Sequence, residues 1–461
     1  MNYAEDFSLE GIRKAHFIGI GGIGMSGIAR LMLGLGYRVS GSDAKGSEIT
    51  GALAREGAKI SAGHSAAALG SPDVVVVSSA IKPDNPELAA ALRSGVPVVR
   101  RALMLSKLAE LKKTVTIAGT HGKTTTTSMT AAALEAAGAD ATAVVGGIIK
   151  GAGSNLKLGR SEYLVAEADE SDGSFLYFSP LVACVTNIDS DHLDHYGSMA
   201  NLKEAFLRHL GRLPFYGMAA LCSDDPGVRE ILPGLKVPHV TCSLGGKADW
   251  TAKDAAFSAA GASYTAFFRG KKKGRVRLHT GGAHNVRNSL LALAAGSYLG
   301  FDFGKLADGL WNFAGVKRRM DRLGAAGGVE FVDDYGHHPT EVKATLEAAR
   351  GLFAGRRLVV LFQPHRYSRT SLLYREFGKA FGAADRVYVA PVYAAGEKPL
   401  PGVDSGLILR QLVRNGARAA AFPGALETMK ELRRGDVFLT LGAGDVWKLG
   451  EDIKLKLATL R

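Results

Sequence analysis

A glycine-rich loop near residue 120 holds the side chains with the clearest chemical meaning. Its members are Gly119, Thr120, His121, Gly122, Lys123, Thr124 and Thr125, between an apolar segment (115–118) and a helical one (126–137). Glycines let backbone N–H groups turn toward an anion, and the next helix adds partial positive charge at its N-terminus. Lys123 is then expected to reach the β- and γ-phosphates of a nucleotide, and the Thr124 hydroxyl to hold Mg²⁺. Although the usual pattern has glycine where Ile117 stands, the loop predicts binding of ATP or GTP.

Acidic residues follow two further predicted strands. One cluster, residues 167–172, begins with Glu167, and the other, residues 186–194, contains His192. Because parallel strands end at one edge of a sheet, both clusters are expected beside the phosphate loop. There a carboxylate and an imidazole can complete the shell of a second divalent ion with water and phosphate oxygens. Taken alone, either cluster is also typical of a solvated acidic loop.

Asn288, at a predicted helix start, either caps that helix or contacts a nucleotide base.

A second glycine motif, GIGGIG at residues 19–24, lies between a predicted strand and a predicted helix. Asp43 ends the next predicted strand, at the position where a ribose hydroxyl is usually bound. On its own the motif is a weak indication of a dinucleotide such as NAD. The motif indicates only that a pyrophosphate can lie at the N-terminus of the helix. The alternative is tight glycine packing in an ordinary strand-to-helix turn.

The C-terminal part of the chain concentrates histidine, arginine, tyrosine and aspartate at the ends of predicted strands. The segments are residues 333–339, 363–369 and 442–445. Loops of this kind carry function more often than cores do, so the three segments predict a substrate site. The last of them, GAGD, is a candidate cradle for an anion or a carboxylate.

Strand-like and helical segments alternate along the chain, which predicts an α/β fold of mostly parallel sheets with helices on both faces. We predict three consecutive α/β domains, at residues 1–107, 108–314 and 315–461. The polar, acidic N-terminus has no signal-peptide pattern, and the apolar runs are of strand length, so a cytoplasmic location is expected. The three cysteines are odd in number and widely spaced, which favours free thiols over disulfides or zinc.

The net charge of +13 fits either nucleic acid or small anionic substrates as partners. The one dense basic run, residues 271–275, reads as a solvated hairpin turn. No basic face interleaved with aromatic residues is present in the sequence, which argues against nucleic acid.

Together the motifs resemble the Mur ligases, the ATP-dependent amide-forming enzymes of peptidoglycan precursor synthesis. The shared stretches are GIGGIGMSGIA, AGTHGKTTT, EADESD, TNIDSDHLDHY, DDYGHHPTE, FQPHRYSRT and LGAGD, which extend over nearly the whole chain. The resemblance implies an N-terminal Rossmann-like UDP-binding domain, a central P-loop ATPase domain and a C-terminal Rossmann-like domain that binds the amino acid. The three predicted domains match this order, and the NAD interpretation of the first loop is dropped.

The resemblance also implies roles for individual residues. Residues 19–26 would hold the UDP-sugar pyrophosphate, and the UDP-sugar contacts as a whole would be Gly21, Gly22, Ile23, Gly24, Met25, Ser26, Asp43, His64, Ser78, Ser79 and Arg101. The ATP contacts would be residues 119–125 with Asn288, Arg319 and Asp334, and the metal ligands Thr124, Glu167 and His192. The amino acid and the intermediate would be held by Tyr335, His337, His338 and Arg366. The implied catalytic residues are Lys123, Glu167, His192, His338 and Arg366.

The implied reaction joins L-alanine to the carboxylate of UDP-N-acetylmuramate through an acyl phosphate, leaving ADP and phosphate. Negative charge gathers on phosphoryl oxygens in both steps, which calls for Lys123 and two Mg²⁺ ions, with Mn²⁺ as a substitute. The implied partners are the three small-molecule substrates, with no nucleic acid or membrane insertion, and the chain is a monomer or a homodimer.

Later ligases of the group carry a carbamylated lysine at the position that Phe206 occupies here by ungapped counting. Lys203 is the nearest lysine, which suits the alanine-adding member and argues against a carbamate.

Three other functions fit parts of the sequence. A recycling ligase that attaches a whole tripeptide to the same sugar nucleotide shares the phosphate loop but not the GIGGIGMSG motif. A P-loop ATPase or kinase has no use for the third predicted domain. A non-enzymatic UDP-sugar binder leaves Lys123, Thr124, Glu167 and His192 without a role.

Overall fold

The computed structural model describes residues 3–4, 6–78, 80–147, 150 and 154–459. By packing, the chain divides into two units. The first comprises Met1–Thr251, Phe267–Gly274 and Asn288–Asn312, and the second Ala252–Ala266, Arg275–Arg287 and Phe313–Arg461. None of the helices formed by the described residues is both long and apolar enough to cross a bilayer.

A five-stranded parallel sheet forms the N-terminal part of the first unit. Its strands are β1 (Lys14–Ile18), β2 (Arg38–Asp43), β3 (Lys59–Ala62), β4 (Val74–Val77) and β5 (Val98–Arg100). They lie in the order β3-β2-β1-β4-β5, and every neighbouring pair is parallel. Strand β4 consists of four buried valines, as expected for a parallel strand covered by helices on both faces. The strand order reverses between β1 and β4, which creates a crevice for ligands at their carboxyl ends.

Four helices follow the strands of this sheet. They are α1 (Ile23–Gly34), α2 (Glu48–Arg55), α3 (Pro86–Ser94) and α4 (Arg101–Glu110). Helix α3 begins where the Asn85 side chain accepts the N–H groups of Glu87 and Leu88. Pro86 occupies the first turn, where its missing N–H costs nothing.

The middle of the chain contributes a ten-stranded sheet. Its strands are β6 (Lys113–Ala118), β7 (Thr142–Val144), β8 (Leu156–Lys157), β9 (Tyr163–Glu167), β10 (Val182–Val185), β11 (Met218–Cys222), β12 (His239–Ser243), β13 (Trp250–Ser258), β14 (Gly261–Phe268) and β15 (Lys271–Leu278). Their order is β15-β14-β13-β12-β11-β10-β6-β9-β7-β8. Strand β6 is parallel to its neighbours β9 and β10, and its last five residues are buried. The accompanying helices are α5 (Lys123–Ala136), α6 (Leu193–Tyr196), α7 (Met199–Leu210), α8 (Pro226–Ile231), α9 (Ala283–Tyr298) and α10 (Phe303–Asn312).

The second unit contains a six-stranded sheet. Its strands are β16 (Asp321–Ala326), β17 (Val329–Asp334), β18 (Leu358–Phe362), β19 (Arg386–Val389), β20 (Ala419–Ala421) and β21 (Val437–Leu441), in the order β16-β17-β21-β18-β19-β20. Only β16 is antiparallel to its neighbour. The helices are α11 (Pro339–Leu352), α12 (Tyr367–Ala380), α13 (Gly406–Arg414), α14 (Ala425–Glu431) and α15 (Val446–Thr459). Single 3-10 turns occupy Ala66–Ala68, Ser174–Tyr177 and Leu232–Gly234 in the first unit.

The α/β fold predicted from the alternation of elements is confirmed, whereas the domain boundaries at 107 and 314 stay a prediction. The basic run at 271–275 is not the hairpin turn that the sequence suggested, because it lies at the start of strand β15. The turn consists of Arg269 and Gly270, both with positive φ (47° and 77°), which is the backbone that a two-residue hairpin requires.

Candidate functional site

The phosphate loop connects the buried end of β6 to the N-terminus of α5. Gly119 has a φ of 127°, and a Cβ there would overlap the Thr186 hydroxyl, so only glycine fits. Gly122, with a φ of 84°, is the N-cap of α5 and has no side chain to close the helix end. The first N–H groups of α5 therefore point into the loop, which is the arrangement that binds phosphate.

The segment after β10 holds the phosphate loop in place. Asn187 accepts the His121 N–H on its side-chain oxygen at 2.8 Å and the Thr120 N–H on its backbone oxygen at 3.1 Å. The Thr186 hydroxyl donates to the His121 carbonyl at 2.6 Å. On the opposite side, the Asn288 amide lies 3.1 Å from where a Cβ of Gly122 would stand. Asn288 is thus brought to the loop, as the ATP-binding prediction requires.

The Lys123 ammonium group lies among carboxylates. Its Nζ donates to both oxygens of Glu170, at 2.9 and 3.0 Å, and to the carbonyls of Gly119 and Thr120. Burial by itself lowers the pKa of Lys123, but Glu170, Asp169 and Glu167 outweigh it and raise the pKa above its ordinary value. Lys123 is therefore a permanent cation in a site with little water, where its attraction for a phosphate is strong.

The predicted metal ligands fall into two groups. The Thr124 hydroxyl donates to a Glu167 oxygen at 2.8 Å, and the same oxygen accepts the Gly146 N–H at 2.7 Å. His192 lies beside Glu170 (4.0 Å) and Asp191 (3.8 Å), and it forms no ion pair with Glu167, whose side chain is also described. Hydroxyl and carboxylate oxygens suit Mg²⁺. An ion shared by Glu167 and His192 stays a prediction.

The N-terminal glycine motif forms a second helix-entry loop. The N–H groups of Gly19 and Ile20 donate to the Ser42 carbonyl, both at 2.9 Å, and the Gly21 N–H donates to Asp43 at 2.8 Å. Asp43 thus binds the loop backbone. Helix α1 begins at Ile23 without a side-chain cap, so its first N–H groups are available to an anion.

Several of the remaining predicted UDP-sugar contacts lie around this loop. A Cβ on Gly24 would meet the guanidinium group of Arg101, which places a cation at the start of α1. The Ser78 N–H donates to Ile18 at 3.1 Å, at the end of β1, and the Ser26 hydroxyl donates to the carbonyl of Ile23. Gly22 is exposed, Met25 is buried in the core, and Ser79 lies outside the described residues.

In the second unit, the Asp334 side chain at the end of β17 accepts hydrogen bonds from the residues around it. Its carboxylate accepts the N–H groups of Met320 (2.7 Å) and Gly336 (2.8 Å) and the Thr345 hydroxyl (3.1 Å). Burial raises the pKa of Asp334 to about 6. The role of Asp334 as an ATP contact stays a prediction. Arg319, another predicted ATP contact, lies 3.7 Å from Glu341 and 5.1 Å from the centre of the Tyr335 ring.

The predicted amino-acid residues form a cluster of aromatic rings and cations. His337 lies edge-on to Tyr335 and next to His365, whose ring stacks on Tyr393 at 5.6 Å. Burial, with Arg369 nearby, lowers the pKa of His337 to about 3 and that of His365 to about 4. Both imidazoles are therefore uncharged at neutral pH, so the positive charge of the cluster comes from its arginines.

His338 and Arg366 are both helix N-caps. The His338 ring accepts the Thr340 N–H at 3.4 Å at the start of α11. Arg366 has a φ of 69°, an unfavourable backbone for an arginine, and its N–H donates to the Tyr393 carbonyl at 2.8 Å. Its side chain is exposed. Strain of this kind at a loop end is common where a side chain is aimed at a ligand.

The GAGD loop is occupied by a side chain of the protein itself. Gln363 donates to Asp445 at 3.0 Å and accepts the N–H of Val446, the first residue of α15, at 3.1 Å. The predicted anion cradle is therefore filled by an amide.

Sequence reasoning also missed Glu170 as the partner of Lys123, although its place three residues after Glu167, just past β9, was a usable signal.

Comparison with known proteins places the chain in a family. Three family models match in succession: "Mur ligase family, catalytic domain" over residues 14–113, "Mur ligase middle domain" over 117–296 and "Mur ligase, glutamate ligase domain" over 318–444. The chain belongs to the Mur ligase family.

Relatives in the family are similar over nearly the whole chain. UDP-N-acetylmuramate–L-alanine ligase from Endomicrobium trichonymphae is 51% identical over 96% of this chain and 98% of its own length. The solved structure of UDP-N-acetylmuramate-alanine ligase from Thermotoga maritima matches with a TM-score of 0.79 at 30% identity, covering 97% of this chain and all of that one. A murein peptide ligase from Psychrobacter arcticus matches with a TM-score of 0.67 at 26% identity, covering 97% and 99%.

Proposed function

We propose that the chain joins the amino group of L-alanine to the carboxylate of UDP-N-acetylmuramate, with ATP converted to ADP and phosphate. The observation that carries this proposal is the 51% identity, over 96% of the chain, to a relative named for that reaction. The phosphate loop, with Lys123 as a permanent cation, is what an ATP-dependent ligase requires.

The proposed chemistry has two steps. A carboxylate oxygen of the sugar nucleotide attacks the γ-phosphorus, the bond to the β-phosphate oxygen breaks, and ADP leaves. The neutral amine of alanine then attacks the acyl carbon, loses a proton, and expels phosphate that retains the carboxylate oxygen. Lys123 and the first N–H groups of α5 hold the transferring phosphoryl group, because charge develops on its oxygens.

The described residues offer oxygen ligands for magnesium. Thr124 and Glu167 would hold one ion, and His192, together with Glu167, a second. Bound Mg²⁺, or Mn²⁺ in its place, would neutralise charge on the phosphoryl oxygens.

We further propose a cytoplasmic location, since ATP and sugar nucleotides are found there, and a monomer or homodimer.

Alanine recognition is proposed for the cluster around Arg366. With His337 and His365 uncharged, Arg366 and Arg369 supply the positive charge that an amino-acid carboxylate requires. His338 and Tyr335 complete the proposed pocket.

The test is phosphate release from Mg-ATP and UDP-N-acetylmuramate with L-alanine, glycine, L-serine or the recycling tripeptide added in turn. The proposal requires release that depends on the sugar nucleotide and is fastest with L-alanine. Release only with the tripeptide would assign the recycling reaction instead. Release without any acceptor would indicate an ATPase, and a Lys123→Met variant measured in parallel excludes a contaminating one.

A further inference from the structure

A buried carboxylate joins three strands of the N-terminal sheet. Glu87, on helix α3, has no exposed surface. One of its oxygens lies 2.8 Å from His16 Nε2, on β1. The other accepts the hydroxyl of Ser42, on β2, and lies 3.0 Å from Nδ1 of His64, just after β3. A single side chain from one helix thus contacts residues on β1, on β2 and just after β3.

The charge of Glu87 fixes where the protons are. Burial raises the pKa of Glu87, but hydrogen bonds from His16, Ser42 and His64 outweigh it and lower the pKa below its ordinary value. An ionised carboxylate only accepts hydrogen bonds, so each partner must supply a proton. His64 therefore carries a proton on Nδ1. No hydrogen bond joins His64 Nε2 to a described residue, and the side chain is 16% exposed.

The same network reaches the glycine loop. The carbonyl of Ser42, whose hydroxyl binds Glu87, accepts the N–H groups of Gly19 and Ile20. The adjacent Asp43 accepts Gly21 with its side chain and Gly63, the residue before His64, with its carbonyl. Glu87 thus contacts Ser42, which binds the glycine loop through its carbonyl, and His64, which follows a residue bound to Asp43.

We propose that Glu87 is a positioning residue for the sugar nucleotide. It holds the His64 ring with the proton on Nδ1 and presents Nε2 as a hydrogen-bond acceptor to a hydroxyl or imide N–H of the nucleoside. This inference rests on the proposed function, because it takes UDP-N-acetylmuramate as the ligand. A purely structural cluster would hold the strands together without affecting one substrate more than another.

The test is a double-mutant cycle on sugar-nucleotide binding. Glu87→Gln and His64→Ala are each expected to weaken UDP-N-acetylmuramate binding by about tenfold, with the KM for ATP changed by less than about twofold. The double variant is expected to be no weaker than His64→Ala alone, because Glu87 acts through His64. Glu56→Gln, which removes an exposed carboxylate bound to Arg30 in the same sheet region, is the matched control and should change nothing.

A second measurement observes the His64 ring directly in the wild-type chain. In the wild-type chain labelled with ¹⁵N-histidine, the His64 signals should show a protonated Nδ1 and a bare Nε2 that shifts when UDP-N-acetylmuramate binds. His64→Ala identifies these signals among the twelve histidines. A proton on Nε2 instead, or additive losses in the cycle, would overturn the inference. Failure of the wild-type chain to bind UDP-N-acetylmuramate would overturn the proposed function and is a separate outcome.

Discussion

Lys123 is paired with protein carboxylates, chiefly that of Glu170. These carboxylates raise the pKa of Lys123 above its ordinary value, so its side chain is a cation at neutral pH. Under the proposed function, this positive charge stabilises the phosphoryl group of ATP.

We expect Lys123→Met to lower kcat by a factor of about 10² to 10³ or more, because the developing phosphoryl charge loses its cation. UDP-N-acetylmuramate affinity, measured by calorimetry, should change by less than about twofold, since that site is built from other residues. Lys113→Met, which removes an exposed lysine paired with Glu162 at the start of β6, is the control and should not change kcat. Loss of sugar-nucleotide binding in a folded Lys123→Met protein would contradict the assignment.

Arg366→Ala is expected to raise the KM for L-alanine by about tenfold to a hundredfold, since a charge-assisted hydrogen bond to the amino-acid carboxylate is lost. The KM for ATP should stay nearly constant. Steady-state kinetics with each substrate varied in turn gives both values, and Arg375→Ala on the same helix serves as control. An unchanged KM for alanine would remove Arg366 from this role.

At the scale of elements, the strand-to-helix turns carry the site, and their glycines are the sensitive points. We expect Gly119→Ala to reduce kcat/KM for ATP by about 10²-fold, because a methyl group there collides with Thr186 and displaces the loop. Gly138→Ala is the matched control, since Gly138 also has a positive φ but nothing within 4 Å of its Cβ position. Equal losses in both variants would show that backbone strain, and not the contact with Thr186, causes the effect.

His209 on helix α7 connects two elements of the ATP-binding region. Its ring is buried against Phe175, lies 3.0 Å from the Phe175 carbonyl and faces the hydroxyl of Thr116 on β6 at 3.3 Å. Burial lowers the pKa of His209 from 6.5 to about 4. The unfolded chain therefore binds more protons than the folded one in this range.

The free energy of unfolding contributed by His209 should thus be fully present above about pH 6.5 and fall by up to about 3 kcal/mol as the pH drops toward 4. His209→Gln should unfold at a lower temperature than wild type at pH 8 but show a weaker decline between pH 6.5 and 4.5. Thermal unfolding across this range, with the exposed His239→Gln as control, measures the difference. An identical decline in wild type and His209→Gln would contradict the buried neutral state.

The elements themselves were largely predictable from the sequence. Strands β18 and β21 are nearly continuous apolar runs, LVVLF and VFLTL, and local sequence is enough to locate buried parallel strands of this kind. Helix α5 begins at Lys123 and not at Thr126, since the polar Lys-Thr residues that hide the helical pattern form its first turn.

The contacts between side chains distant in the sequence were not predictable in this way. Glu87 binding His16 and Ser42, Gln363 filling the GAGD loop and Glu170 holding Lys123 each depend on sheet order, which local patterns do not encode. Motifs identified the candidate site residues, whereas only the fold shows what each of them contacts.

At the scale of the whole molecule, the likeness to the Mur ligases runs through all three matched segments. A phosphate loop alone would be compatible with an ATPase. The glycine loop at residues 19–24 and the arginine and histidine cluster of the second unit are two further proposed places for anionic substrates. The net charge of +13 is consistent with small anionic substrates.

The most direct test of the central claim follows the oxygen atoms. The chain is given Mg-ATP, L-alanine and UDP-N-acetylmuramate whose carboxylate carries ¹⁸O, and the products are examined by mass spectrometry. The account predicts UDP-N-acetylmuramoyl-L-alanine that retains one labelled oxygen, and phosphate that has gained the other. Phosphate without label, or labelled sugar nucleotide returned without an amide, would contradict ligation through an acyl phosphate.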